Sequence, residues 1–193
     1  MRYAKGHKEA ARKRIVSAAA KRLRRDGLEP VGIAELMKAA GLTHGGFYFH
    51  FDSKNDLIRA AVADALGESN SRNERLIQEK GLEALLRSYL SLQKRDKPAS
   101  ACTAAALTAE IARKPVAIRR AFMKELDRFI DMIAARMPGE VETARRRAGI
   151  GVFSVMMGAL QLARAEPDPQ RSQEILDSGI QAALRLGDGD FKC

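Results

Sequence analysis

At 193 residues, with 30% charged and 46% hydrophobic side chains and a formal net charge of +10, the chain can hold one sizeable core or two small domains. No run approaches 18 apolar residues, which excludes a predicted transmembrane helix, and the basic stretch Met1 to Ala20 lacks the apolar centre of a secretory signal. Cys102 and Cys193 do not make a disulfide framework, so a cytoplasmic protein is expected.

Charge is unevenly spread. Through Ala60 there are 13 Lys and Arg against 6 Asp and Glu, and after it 21 against 18, so +7 of the +10 lies in the first third. A basic first third on a nearly neutral remainder is the footprint of nucleic-acid binding by the first part alone. Ala, Leu, Ile and Met dominate the apolar residues, and Pro and Gly fall between periodic segments. An all-α fold of about nine helices is expected.

Arg2 to Lys8 reads as a basic arm. A helix follows from about His7 to Arg25, with Ala11, Ile15, Ala18, Ala19 and Leu23 inward and Lys13, Lys21, Arg24 and Arg25 outward, ended by Asp26-Gly27. Val31, Ile33, Leu36, Met37 and Ala40 recur at three- and four-residue steps, the apolar stripe of a short helix, and Gly41 stands where a helix end favours positive φ. Thr43 is placed to cap the next short helix. Two short helices across a glycine-bearing turn form a helix-turn-helix pattern, whose second helix reads the major groove.

That second helix is unusual as a packing element. His44, Gly45 and Gly46 open it, and glycine in a helix interior costs about 1 kcal/mol. Close approach of the backbone to a DNA strand would account for both glycines. Phe47 and Phe51, four apart, share a buried face, while Tyr48 and His50 point elsewhere with tips suited to phosphate oxygens. Ser53-Lys54-Asn55-Asp56 resembles a capping box, and Lys54 in a first turn fits an external anion there.

Residues Arg14 to Leu57 resemble the DNA-binding domain of the TetR/AcrR family of transcriptional regulators. The resemblance is carried by Ile15 with Ala18-Ala19, Gly27, Ile33-Ala34, Ala40-Gly41-Leu42, the Phe47-Tyr48-Phe49-His50-Phe51 run, and Ser53-Lys54 ahead of Leu57. Its Gly-Gly-Phe-Tyr opening is similar to one branch of the family. One departure is Pro30-Val31-Gly32 where relatives carry a Thr or Ser pair; there Gly32 would donate from its backbone. The resemblance implies a DNA-binding domain over 1–52 and a ligand-binding and dimerisation domain over 53–193. It places Thr43 and His44 at base edges, has Gly45 and Gly46 allow close approach, and puts Tyr48, His50 and Lys54 on phosphates. The partner it implies is double-stranded operator DNA, bound as a homodimer on a pseudo-palindrome.

The body reads as helix after helix. The long one after Ser53 runs to about Leu76, with a weak stretch at 67–71 where a kink is expected, and its tilt in the resembled family sets the separation of the two heads. Further helices are expected from Leu82 to Leu92, Ala101 to Ala112, Val116 to Met137, Val141 to Ala165 and Gln170 to Leu186, ahead of a frayed tail. Val152, Phe153, Val155, Met156, Ala159, Leu160 and Ala163 cover more than one face of the penultimate helix, with Gly151 and Gly158 allowing close approach. Ile175, Leu176, Ile180, Ala183 and Leu184 do the same on the last. Broad apolar circumference requires burial on several sides, and in the resembled family these two helices pair with their copies.

An effector site of the usual apolar form would be lined by residues such as Tyr89, Leu107, Phe122, Phe129, Phe153 and Met157, with Glu110 and Tyr89 as polar groups, although such stripes also serve as ordinary core. Cys102 opens a helix, a position that lowers a thiol pKa, and some similar relatives place an electrophile-sensing cysteine there; a small buried hydrophobe is the plain alternative. His44 and His50 are not spaced as a metal pair, and neither a cofactor motif nor an enzyme's nucleophile motif is found. The sequence therefore predicts a DNA-binding regulator, a repressor released by a small apolar or electrophilic effector, with an architectural DNA-binding dimer without effector as the alternative.

Overall fold

The computed structural model describes residues 5–28, 32–97 and 102–187. Among them are eight α-helices and one 3-10 helix: α1 (Lys5–Asp26), α2 (Ile33–Ala39), the 3-10 helix η1 (His44–Phe49), α3 (Lys54–Tyr89), α4 (Leu92–Asp96), α5 (Thr103–Ile111), α6 (Val116–Ala134), α7 (Glu142–Ala165) and α8 (Pro169–Gly187). The all-α expectation holds. Of the sequence readings, Pro30 and Val31, the Pro98–Ala101 stretch, the end of the tail with Cys193, and the first residues of the basic arm lie outside the described residues.

Three boundaries differ from the sequence reading. α1 begins at Lys5, so the second half of the expected arm is helix. The stretch 67–71 does not kink. There Asn70 is buried, its Nδ2 donates to the Glu125 carbonyl at 2.8 Å, and Ser71 Oγ returns a bond to the Gly67 carbonyl at 3.0 Å. These side chains tie the turn to α6 and to itself, which outweighs the low helix propensity of Gly, Ser and Asn. The break falls instead at Gly81, where φ is 80° and ψ is −178°, a conformation only glycine adopts without strain. The helix expected over 82–92 is likewise cut at Leu90, and Ser91 restarts it as α4 by accepting from Lys94 N.

One apolar cluster runs from Ile15 in α1 through Leu57, Ile58 and Ala61 in α3 to Ala183 in α8. The first turns of α3 therefore belong to the core of the head, and head and body share a continuous interior. α3 packs along α6, and α7 along α8. The close crossings use Gly149, where a Cβ would stand 3.0 Å from the Ile130 carbonyl, and Gly179, where it would meet Ala159 Cβ at 2.5 Å. Gly151 and Gly158, expected to allow close approach in assembly, do not serve these crossings: Gly158 is exposed with open space around it, and Gly151 faces Leu186.

By length and composition α7 could cross a bilayer, but Val152, Phe153, Met156, Leu160 and Ala163 are buried in the protein's own core. Its apolar character is that of a central core helix.

Candidate nucleic-acid interface

The recognition segment is a 3-10 helix, not the α-helix that the pattern suggested. Gly46 N donates to the Thr43 carbonyl at 3.1 Å, closing an i to i+3 turn. Thr43 occupies the N-cap position in extended conformation, but its side chain makes no cap bond, because the backbone turn takes the N–H that the hydroxyl would have met. Gly41, at φ 70°, sets the preceding turn, and the Leu42 N–H donates back to the Met37 carbonyl at 2.9 Å.

Phe47 and Phe51 anchor the segment. Both are buried, with ring centroids 5.7 Å apart and planes at 29°. Outward from this anchor Thr43, His44 and Gly45 are exposed, Gly46 is half-buried, and Tyr48 and Phe49 are 67% and 68% exposed. A Cβ at Gly45 would meet nothing within 4 Å, and one at Gly46 would make only ordinary contacts at 3.7 Å. Neither position requires glycine for the fold. Gly32, exposed and extended, is the N-cap of α2. Ser53 caps α3 by accepting from Asp56 N, which leaves Lys54 half-buried in the first turn.

Two residues of α1 join this surface, Lys8 at the end of the expected basic arm and Arg12 one turn on. Lys8 Nζ lies 4.6 Å from the centre of the Phe49 ring, and the Arg12 guanidinium 4.5 Å from that of Phe51. Their four-residue spacing, one face of a helix, was the available signal. Burial first, and then Lys8 and Arg12, pull the His50 imidazole below its ordinary value near 6.5. Its buried Nδ1 has no hydrogen-bond partner. The result is an exposed, aromatic and basic ridge with an open glycine in its middle.

The residues expected to line an effector site fall into two groups. Leu107, Phe122, Phe129 and Phe153 are buried in the common core, Phe129 and Phe153 edge to face at 5.3 Å, and Met157 packs half-buried against them. Tyr89 and Cys102 come together: the buried Tyr89 hydroxyl, without a well-formed hydrogen bond, faces the thiol and Arg164. Burial and then the thiol push the Tyr89 phenol well above its usual range, while Arg164 opposes them. Cys102 is half-buried and occupies the N-cap position of α5.

Glu110, at the other end of α5, turns away from that region toward the head. Its Oε2 accepts from Leu28 N at 2.7 Å, and its carboxylate packs where a Cβ of Gly27, at φ 82°, would stand.

A cleft of about 970 Å³ opens between head and body rather than inside the body. Its walls include Arg14, Lys21, Arg22, Arg24 and Arg25 of α1, Ala39 and Ala40, Glu68 and Arg72 of α3, Lys94 of α4 and Thr103 of α5. In the sequence, Lys21, Arg24 and Arg25 stand out only as residues outside the apolar stripe of α1.

Residues 15–61 match the family model for bacterial regulatory proteins of the tetR family. The uncharacterized HTH-type transcriptional regulator YdgC of Bacillus subtilis is 32% identical over 72 residues, which span 37% of each chain. The matched stretch is thus well under half of that relative. Whole-chain likeness comes from solved structures. The reduced form of Escherichia coli NemR superposes with a TM-score of 0.73 at 21% identity, covering 90% of this chain and 94% of that one. A TetR-family regulator from Cytophaga hutchinsonii superposes at 0.77 and 17%, covering 94% and 97%. At such identities they share the fold. The head, residues 15–61, thus matches the tetR family of bacterial regulatory proteins, and the whole chain shares the fold of the solved structures it superposes on.

Proposed function

We propose that the chain is a cytoplasmic, homodimeric transcriptional repressor that leaves a pseudo-palindromic operator when an effector binds its body. The observation that carries this reading is η1. Thr43, His44 and Tyr48 stand in solvent on a helix whose two glycines serve no internal packing. Thr43 and His44 read base edges, Gly45 and Gly46 let the backbone approach, and Tyr48, His50, Lys54 and the Gly32 N–H hold phosphates, which fix register without carrying sequence information.

Selection of bound duplexes from a random pool tests it. The expected product is a two-fold symmetric site with half-sites about one helical turn apart, roughly 34–36 Å. His44→Ala should change the preference at one base pair, whereas Tyr48→Phe should weaken binding across all sequences. An unenriched pool, or a site without symmetry, would reject the reading.

On the effector side, the reading is electrophile modification at Cys102 or an apolar ligand among Tyr89, Leu107, Phe122, Phe129, Phe153 and Met157. The half-buried thiol and the Glu110 contact with Leu28 lie at opposite ends of α5, so displacement of that helix reaches the head directly. N-ethylmaleimide should lower operator affinity in the natural chain and leave Cys102→Ser unaffected. Unchanged affinity in both would exclude the thiol. Ligand stabilisation in a thermal-shift screen would separate this class from a purely architectural DNA-binding dimer.

A further inference from the structure

Seven cations line the 970 Å³ cleft between head and body against one carboxylate, Glu68. Arg22 and Arg25 are neutralised in place, and Arg24 and Lys94 have partners of their own. Arg22 pairs with Glu35 and with Asp26, the latter at 3.3 Å, and Arg25 pairs with Asp26 at 2.7 Å. Arg14, Lys21 and Arg72 form no ion pair among the described residues. Lys94 is held below its ordinary value by burial and then by Arg72, with Arg24 a smaller contributor. Arg24 is lowered by burial, which outweighs Glu68, with Arg72 adding to the depression. Like charges this close are unfavourable unless a counter-charge offsets them.

A second observation points into the same space. Thr103, in the first turn of α5, is 1% exposed, lines the cleft, and its hydroxyl has no hydrogen-bond partner. A buried hydroxyl without a partner is costly and uncommon. Thr103 also stands in the first turn of α5, the end of a helix at which the dipole favours anions. Ala18, Ala39, Ala40 and Ala65 supply small apolar walls, and the volume suits a molecule of nucleotide size.

We propose that this cleft binds an organic di- or triphosphate, with the phosphates on Arg24, Arg72, Lys94 and the Thr103 hydroxyl and the organic part against the alanine walls. Such a ligand touches α1 and α2 of the head together with α3, α4 and α5 of the body, so occupancy fixes one against the other. The proposal goes beyond the effector reading by naming a second site with a different ligand class, and the binding itself is measured without DNA. Its failure would leave the operator result standing.

Titration calorimetry of the full chain with ATP and, separately, inorganic pyrophosphate, in magnesium-free buffer at about 0.15 M salt, provides the test. One bound ATP per chain is expected, weakened about tenfold or more by Arg72→Ala and by Thr103→Val, and unchanged by Arg119→Ala, an exposed cation on α6. Pyrophosphate binding as tightly as ATP would support the phosphate contacts and assign the alanine walls no share. Thr103→Val should unfold at the same temperature as the natural chain or higher when no anion is present, since it removes an unpaired buried hydroxyl. A lower midpoint would show that the hydroxyl serves the fold and would overturn its assignment. Equal losses in Arg119→Ala and Arg72→Ala, displacement of ATP by operator duplex from the same cations, or no binding of either probe would overturn the site.

Discussion

Gly45 separates what the fold needs from what recognition needs. Its surroundings are empty to 4 Å and its φ is not positive, so a methyl group there meets nothing of the protein itself. Gly45→Ala should leave unfolding unchanged or raise stability by up to about 1 kcal/mol, since alanine restricts the unfolded chain more. Operator affinity, measured by fluorescence anisotropy, should fall at least tenfold, because the methyl group stands where the duplex backbone would approach. Equal affinity would mean that DNA does not come close at this point. At this scale much was legible in the sequence. The Phe47 and Phe51 pair follows from four-residue spacing, and the positive φ of Gly41 from its place after a helix. The Thr43 cap was not legible, because a tight i to i+3 turn and a side-chain cap start from the same residue pattern and differ only in which oxygen takes the N–H.

Among elements, α5 is short but joins two regions. The bond from Leu28 N to Glu110 Oε2 spans 82 positions of sequence and ties the α1 to α2 turn to the body. Leu28 is fully buried, so Glu110→Ala leaves its N–H without a partner at a cost of about 1–3 kcal/mol. Denaturant titration should show this loss, with Glu110→Gln recovering most of it because an amide oxygen also accepts. If Glu110→Ala unfolds like the natural chain, water replaces the carboxylate and the tie is incidental. The sequence marked Glu110 as a notable polar group but not its destination, since no periodicity encodes a contact between distant segments. The uninterrupted helix through 67–71 was hidden for the same reason: local propensity argued for a break, and the α6 carbonyl that satisfies Asn70 lies 55 residues away.

For the whole molecule, the apolar breadth of α7 is mostly consumed inside the subunit by α6 and α8. What remains outside is a narrower strip: Ile150 at 43% exposure, half-buried Val155, open Gly158 and Leu162 at 63%. If two copies meet there, Leu162→Glu places a charge in each half of the contact. The variant should sediment as a folded monomer and lose most of its operator affinity, because a two-fold site is then held by one head at a time. A dimer that survives this change would place the contact elsewhere. The sequence overstated the surface left for a partner because periodicity counts apolar positions without telling which neighbour covers them.

The departure from helical geometry at Gly81 gives this arrangement a mechanical gain. From Lys54 to Lys80, α3 is an unbroken arm about 40 Å long at 1.5 Å per residue, with its pivot at the body end and the recognition segment just beyond its tip. A swing of about 5° at the pivot carries the tip roughly 3.5 Å, close to the 3.4 Å rise of one nucleotide step. A rotation of that size would shift a head by one step of the duplex, and it works against the Asn70 bond to α6, which holds the arm at its angle.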